Sequence, residues 1–212
     1  MSAEFHVLDL FAGLGGFSAA FDDSDRWDLT TVEIDPTFGP DITADVFDLR
    51  PSDFEQEFDV IVASPPCTEF SPAQNLNGSH EPAGDAVALV YHTLGLVRGL
   101  SPSYWFIENP RGQLRSLIGR PKETVTYCQY GETRMKPTDL WGEHPDGFVG
   151  RRCAYGDSCH EQNREGTNNY PNDPNQKAVV PYGLSDAIRE ACELALDGDA
   201  PTQTTTDEWM QA

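Results

Sequence analysis

The run Phe58-Asp59-Val60-Ile61-Val62-Ala63, followed at once by Ser64-Pro65-Pro66-Cys67, constrains the fold more than any other feature of the chain. The apolar run reads as a buried strand, and a Pro-Pro pair cannot continue a hydrogen-bonded ladder. The chain must leave the sheet here, which places Cys67 on a stiff turn at a strand's C-terminal end. Open α/β sheets bind their ligands beyond such ends. A thiol fixed there is a candidate nucleophile, to be weighed against a buried, inert cysteine.

Phe5 to Phe11, Leu29 to Ile34 and Tyr104 to Glu108 read as further strands. Asp41 to Val46 reads as a short strand or a loop edge, and Glu123 to Cys128 as a last strand. Helical stretches lie between them: from a Gly-rich turn to about Phe21, from Ala83 to Leu100, and a short one from Arg111 to Ile118. Strands alternating with helices predict an α/β fold, a mainly parallel sheet with helices on both faces. Past Trp141 the periodicity lapses, and residues 142–176 are rich in Gly, Asn and Pro. A helix resumes from Val180 to Leu196 with Pro181 near its first turn, and a polar, Thr-rich end follows. At 212 residues the chain holds one sizeable core. We divide it into a core (1–142), a small insert (143–176), a returning helix (177–196) and a flexible tail (197–212).

The charge is extreme, with 14 Lys and Arg against 35 Asp and Glu for a net of −21. Such acidity argues against nonspecific polyanion binding in ordinary salt. It suits a protein that must stay soluble in very high salt, where charge is screened within about 3 Å at 1 M; a halophilic source is expected. The charge is also uneven, because nine of the basic residues lie between Arg111 and Arg164 among seven acids. An anionic partner would dock on the face that escapes the general acidity. No apolar run approaches a membrane span and the N-terminus lacks a signal pattern, so no membrane association and a cytoplasmic location are expected. Five scattered cysteines argue against a disulfide framework.

Asp9-Leu10-Phe11-Ala12-Gly13-Leu14-Gly15-Gly16-Phe17 joins the first strand to its helix with three glycines, which let a backbone close on a ligand in a tight turn. Glu33 ends the second strand, where an acid grips a ribose in nucleoside-binding α/β folds. Asp45 lies where it can take an exocyclic adenine amine. Together these describe an adenosine pocket, and Ser18 breaks the Gly-x-Gly-x-x-Gly spacing, which leans away from NAD. Glu108-Asn109-Pro110 ends another strand with an apolar wall behind the carboxyl, a setting that raises its pKa. One βαβ crossover separates Cys67 from Glu108, so both can face one pocket. A thiolate and a protonating carboxyl are what nucleophilic addition to a pyrimidine ring requires.

In their order, Asp9–Phe17, Glu33, Asp45, Pro65-Pro66-Cys67 and Glu108-Asn109 resemble the motifs of the cytosine-C5 DNA methyltransferase family, in its short, phage-type or haloarchaeal-like form. The resemblance implies a Rossmann-like S-adenosylmethionine-dependent methyltransferase fold. It implies cofactor contacts at Phe11, Ala12, Gly13, Gly15, Gly16, Glu33, Asp45, Pro66, Ala178 and Val179. It makes Cys67 the covalent nucleophile, Glu108 the N3 partner and Arg134 a support, with a target base flipped out of double-stranded DNA. Substrate contacts are expected at Pro65, Ser71, Asn109, Lys136, Arg151 and Arg152.

The family's Gln-x-Arg-x-Arg motif is replaced by Arg134-Met135-Lys136-Pro137-Thr138, in which Arg134 and Lys136 can still orient Glu108 and a phosphate. The closing Gly-Asn-(Ser/Ala)-Val is similar to Gln176-Lys177-Ala178-Val179. Cys153, Cys159 and His160 could supply three zinc ligands and His144 a fourth, but the spacing is unlike common zinc patterns; free cysteines, and no metal, are the expectation. A companion endonuclease or specificity partner would fit the small insert. Methylation of RNA, or a catalytically silent binding protein, are the alternatives.

Overall fold

A computed structural model of the chain describes residues 3–71, 81–160 and 174–198. Seven strands form one sheet: β1 (Phe5–Leu10), β2 (Trp27–Glu33), β3 (Ile42–Thr43), β4 (Val60–Ala63), β5 (Tyr104–Pro110), β6 (Glu123–Thr126) and β7 (Pro137–Trp141). Their spatial order is β3-β2-β1-β4-β5-β7-β6. All neighbours pair in parallel except β7, which runs against both β5 and β6. From β1 the chain winds outward to β2 and β3, then returns to β4 on the other side. The switch point of this doubly wound sheet therefore falls between β1 and β4.

Five helices complete the fold: α1 (Ala19–Asp22), α2 (Gly84–Leu100), α3 (Leu114–Ile118), α4 (Pro174–Ala178) and α5 (Tyr182–Leu196). Alternate strand residues point to opposite faces, and here both faces are apolar. Val7, Val60, Val62, Phe106 and Leu140 face one layer with Leu184 and Ile188 of α5. Leu8, Leu10, Ile61, Ala63 and Ile107 face the other, with Val90 and Val97 of α2 and Leu114 of α3. Burial on both sides explains why the central strands read as continuous apolar runs.

α5 is locked to α1 by one buried hydroxyl. Ser185 Oγ donates to the Phe17 carbonyl at 2.8 Å and accepts from the Ala20 amide at 3.1 Å. At its far end Asp197 forks onto Arg26 at 2.7 and 3.1 Å. The rest of the expected tail, from residue 199, lies outside the described residues. So do residues 161–173 of the expected insert. Glu143 to Phe148 of that insert pack on β5, where His144 stacks on Phe106 with ring centroids 4.3 Å apart.

Several elements differ from expectation: β5 runs on through Asn109 and Pro110, where β7 pairs with it, and α4 precedes the expected returning helix. The first helix starts only at Ala19, because Phe11, Gly13 and Gly15 take positive φ angles of 65°, 51° and 74° and keep the segment in turns. The expected last strand stops at Thr126, and Tyr127–Tyr130 form a 3-10 turn that carries Cys128. β7 was not legible, since Pro137-Thr138-Asp139 reads as loop. Pro137 is tolerated as a first strand residue, and buried Asp139 is neutralised by the Arg115 guanidinium, which bonds both its oxygens.

Candidate active site

The Gly-rich turn leaves β1 beside the end of β2, where the two form one wall of a cavity of about 250 Å³. Phe11, Ala12, Gly13, Gly16, Glu33 and Pro66 line it, with Ala178 and Val179 closing it from the C-terminal segment. Gly15 lines an adjoining hollow with Gly13 and Phe38. Two kinds of glycine are needed. Gly13 and Gly15 supply left-handed backbone, whereas Gly16 supplies space: a Cβ there would lie 2.6 Å from Val179 Cγ1 and 2.7 Å from the Val180 carbonyl. Phe11, without that freedom, is also left-handed, a strain that is held by surrounding structure and clusters at functional sites.

The Glu33 carboxylate braces this turn. One oxygen accepts from the Gly13 amide at 3.0 Å and the other from the Ile34 and Asp35 amides at 2.9 and 3.2 Å. Ile34, Phe38 and Val180 also line the cavity, and nothing in their local sequence marks them. Asp45 is exposed, accepts from the Phe47 amide at 2.9 Å as the cap of a short 3-10 turn, and is not among the cavity's lining residues. Beneath the turn lies Asp9, fully buried, with Ser18 Oγ donating to one oxygen at 2.6 Å. Burial, helped by the Glu33 charge and opposed by Ser18, pushes its pKa up to about 7. A concave site with glycine backbone on one side and an apolar wall on the other fits an adenosine-bearing cofactor such as S-adenosylmethionine.

The second half of the site is built at the ends of β4 and β5. Ala63 pairs with Ile107, so the Ser64-Pro65-Pro66-Cys67 turn leaves the sheet beside Glu108, which stays in β5 and pairs with Leu140 of β7. Asn109 fastens the turn by donating from Nδ2 to the Pro65 carbonyl at 3.0 Å. The Cys67 carbonyl accepts from the amides of Phe70 and Ser71 at 3.1 and 3.0 Å, and buried Phe70 anchors the loop. Cys67 is half-buried. Burial and the neighbouring Glu108 raise its thiol pKa, while Lys136 draws it down. Glu108 is 4% exposed, and its carboxyl is raised by burial against the opposing pull of Lys136 and Tyr127. Tyr127 Oη donates to Glu108 Oε1 at 2.8 Å.

Arg134, the expected support, lies between the Tyr127–Tyr130 turn and β7. Its guanidinium forks onto Glu132, two residues back. The cation whose charge acts on both Cys67 and Glu108 is Lys136. Its Nζ lies 4.4 Å from the Tyr127 ring centre and donates to the Lys177 carbonyl at 3.3 Å. Lys136 thus ties the carboxyl's support to the segment that closes the cofactor cavity. Tyr127 escaped the sequence reading because its role depends on a 3-10 turn and on β7, neither of which has a local signal.

The basic residues gather in a cleft of about 610 Å³ lined by Arg111, Arg115, Arg120 and Arg152. Arg111 directly follows β5. Among the described residues Arg111 and Arg120 have no acidic partner, whereas Arg152 bonds the Thr124 carbonyl at 2.6 Å and pairs with Glu123 at 3.5 Å. Arg151 lies over the Tyr130 ring at 4.2 Å. His144 stands apart from Cys153, Cys159 and His160; burial holds its pKa down to about 4. The fourth residue beside that trio is instead Cys128.

A family model described as C-5 cytosine-specific DNA methylase matches residues 5–125. The chain is 29% identical over 174 residues to a protein of Frog virus 3 (isolate Goorha) named "Probable DNA (cytosine-5)-methyltransferase", covering 74% of this chain and 79% of that one. It is 28% identical over 131 residues to the type II methyltransferase M.HpaII of Haemophilus parainfluenzae, covering 58% of this chain but 36% of that enzyme. Among solved structures, the Entamoeba histolytica methyltransferase EhMeth aligns over 65% of this chain and 52% of its own, at 14% identity and a TM-score of 0.49.

Proposed function

The chain belongs to the C-5 cytosine-specific DNA methylase family, and from that premise we propose that it transfers a methyl group from S-adenosylmethionine to C5 of cytosine in double-stranded DNA. When bound, the cofactor supplies an electrophilic methyl on a sulfonium. The Gly13–Gly16 backbone, Glu33, Phe11, Pro66 and Val179 are the residues that would hold it; the expected contact from Asp45 has no counterpart in the cavity's lining.

The Cys67 thiolate adds to C6 of the flipped cytosine. Glu108, kept protonated toward neutrality by its burial, gives its proton to N3, so the pair of electrons released from the ring collects at C5. After methylation, solvent water takes the C5 proton as the C6–S bond breaks, which releases Cys67 as the thiolate and restores the aromatic ring, and N3 returns its proton to Glu108. Lys136 moderates both groups: it favours the thiolate and keeps Glu108 from being locked as the neutral acid. Pro65, Asn109 and Ser71 fix the turn on which the thiol sits. Arg111, Arg120, Arg151 and Arg152 would contact phosphates, which position a duplex without reading it.

The single observation that supports this reading best is the β4–β5 register, which brings a thiol and a buried carboxyl to one edge beside the glycine cavity. DNA carrying 5-fluorocytosine tests it, because C5 cannot shed fluorine as a cation and the Cys67 adduct persists. A denaturation-stable complex that forms with DNA, requires the cofactor and is lost in Cys67→Ala is the expected result. Adduct formation with RNA alone would move the substrate, and none with either at low or multimolar salt would leave only a binding protein.

The excess of 35 acids over 14 bases supports work in concentrated salt, and a DNA substrate supports a cytoplasmic location as part of the same reading. The type II kinship supports pairing with a companion endonuclease.

A further inference from the structure

Cys128 lies on the turn after β6, and Cys153, Cys159 and His160 lie in the loop beyond β7. Although Cys128 lies 25 residues before Cys153, the four donor atoms all fall within 4.8 Å of one another. Cys128 Sγ is 3.1 Å from Cys153 Sγ and 3.7 Å from Cys159 Sγ. His160 turns Nδ1 toward the sulfurs, 3.6 Å from both Cys153 and Cys159. A tetrahedron with metal–sulfur bonds of about 2.3 Å and a metal–nitrogen bond of about 2.0 Å has edges of roughly 3.8 Å and 3.5 Å. Three of these four distances match such edges, and the fourth, Cys128 to Cys153 at 3.1 Å, is shorter by about 0.7 Å. The shortest is still far beyond the about 2.05 Å of a disulfide.

We propose that Cys128 Sγ, Cys153 Sγ, Cys159 Sγ and His160 Nδ1 bind one structural zinc ion. Three thiolates and an imidazole are a soft donor set that selects zinc over magnesium or calcium. Four protein ligands leave no open position, so the ion is a clamp and not a catalyst. The loop is already laid along β6, with the Cys153 amide donating to Thr126 Oγ1 at 2.9 Å and the Thr126 amide to the Arg151 carbonyl at 3.1 Å. The ion would close this contact and fix Arg151 and Arg152 against the turn that carries Tyr127. It would therefore hold the basic cleft in a set position relative to Glu108. The metal site stands whether or not the chain methylates DNA, since its ligands include neither Cys67 nor Glu108.

Metal analysis of the full chain, purified under a phosphine reductant without chelator, tests the proposal. The expected result is about one zinc per chain. Replacement by cobalt(II) should give thiolate-to-cobalt charge-transfer and visible bands of tetrahedral intensity. Cys67→Ser should keep both signals, and Cys159→Ser or His160→Ala should weaken metal affinity by roughly 10-fold or more. His160→Cys should retain the ion with a stronger charge-transfer band, which separates lost ligation from lost folding. The proposal is overturned if the folded protein holds no zinc while all five thiols titrate as free. A Cys128–Cys153 disulfide by mass spectrometry, or a cobalt spectrum unchanged in Cys128→Ser, would overturn it equally.

Discussion

The turn after β1 is shaped by its own glycine backbone with one brace from Glu33 of β2, whereas the turn after β4 and the carboxyl beside it depend on Asn109 of β5 and on Tyr127 and Lys136 from the segment between β6 and β7. In the first, Gly13 and Gly15 supply left-handed angles and Gly16 admits the C-terminal segment. In the second, Asn109 grips Pro65, Tyr127 grips Glu108, and Lys136 sits over Tyr127. Each half also buries a carboxyl. Asp9 has a serine for company and the Glu33 charge nearby, while Glu108 has a phenol and the Lys136 cation. The difference teaches that the cofactor half is built to hold a shape and the catalytic half to balance a proton.

The largest expected effect lies in the catalytic half. Cys67→Ala should cut methyl incorporation from labelled S-adenosylmethionine by at least about 10³-fold, as loss of a nucleophile does elsewhere. Cofactor binding by calorimetry should persist; if it vanishes too, the two halves are not separate.

Asp9 gives the next largest effect, and it is one of stability. Its carboxyl ionises near 3.8 when unfolded and near about 7 when folded. Between these values the folded state holds the extra proton, so stability is full below about pH 4 and falls as pH rises toward 7. The fall is on the order of 4 kcal/mol for this group. Denaturant melts across that range should show Asp9→Asn losing this slope; parallel curves for variant and parent would mean that Asp9 is ionised throughout.

Gly16→Ala sharpens the distinction between space and conformation. The added methyl meets Val179 and the Val180 carbonyl at under 3 Å. Overpacking of that kind costs about 1–3 kcal/mol. Weaker cofactor binding is expected, with little change in turnover at saturating cofactor. A fall in turnover without a fall in binding would place Gly16 in the chemistry instead.

Tyr127→Phe should have the smallest effect. Removing a donor to the carboxylate raises the Glu108 pKa further, so the limb of the pH–rate profile set by Glu108 should move to higher pH. An intramolecular hydrogen bond contributes about 1 kcal/mol net, a few-fold in rate. An unmoved limb would show that Tyr127 packs without tuning.

Much of this was legible in the residues because glycine and proline speak locally. The Pro65-Pro66 stop, the three glycines after β1 and the buried runs of β1, β4 and β5 follow from backbone rules that need no neighbour. Glu33 was legible as a strand-end acid for the same reason, whereas Glu108 sits two residues inside β5, because β7 pairs with Asn109 and Pro110 beyond it. The support around them was not. Arg134 and Lys136 both read as able to orient Glu108; Arg134 forks onto Glu132, while the Lys136 charge acts on Glu108. Lys136 reaches the site only because β7 turns back between β5 and β6. Cys128 reads as a strand residue, and only the turn at Tyr127–Tyr130 swings it toward Cys153.

By itself, then, the sequence determined where strands must stop, which turns need glycine, and the order of the acids and the thiol along one edge. Tertiary structure decided which cation serves that thiol, which phenol serves the acid, and which four ligands meet. Chain-stop signals depend on each residue's own φ, sterics and missing amide. Partnerships across a sheet depend on strand order and on one reversed strand, and the residues of either strand alone carry no trace of them.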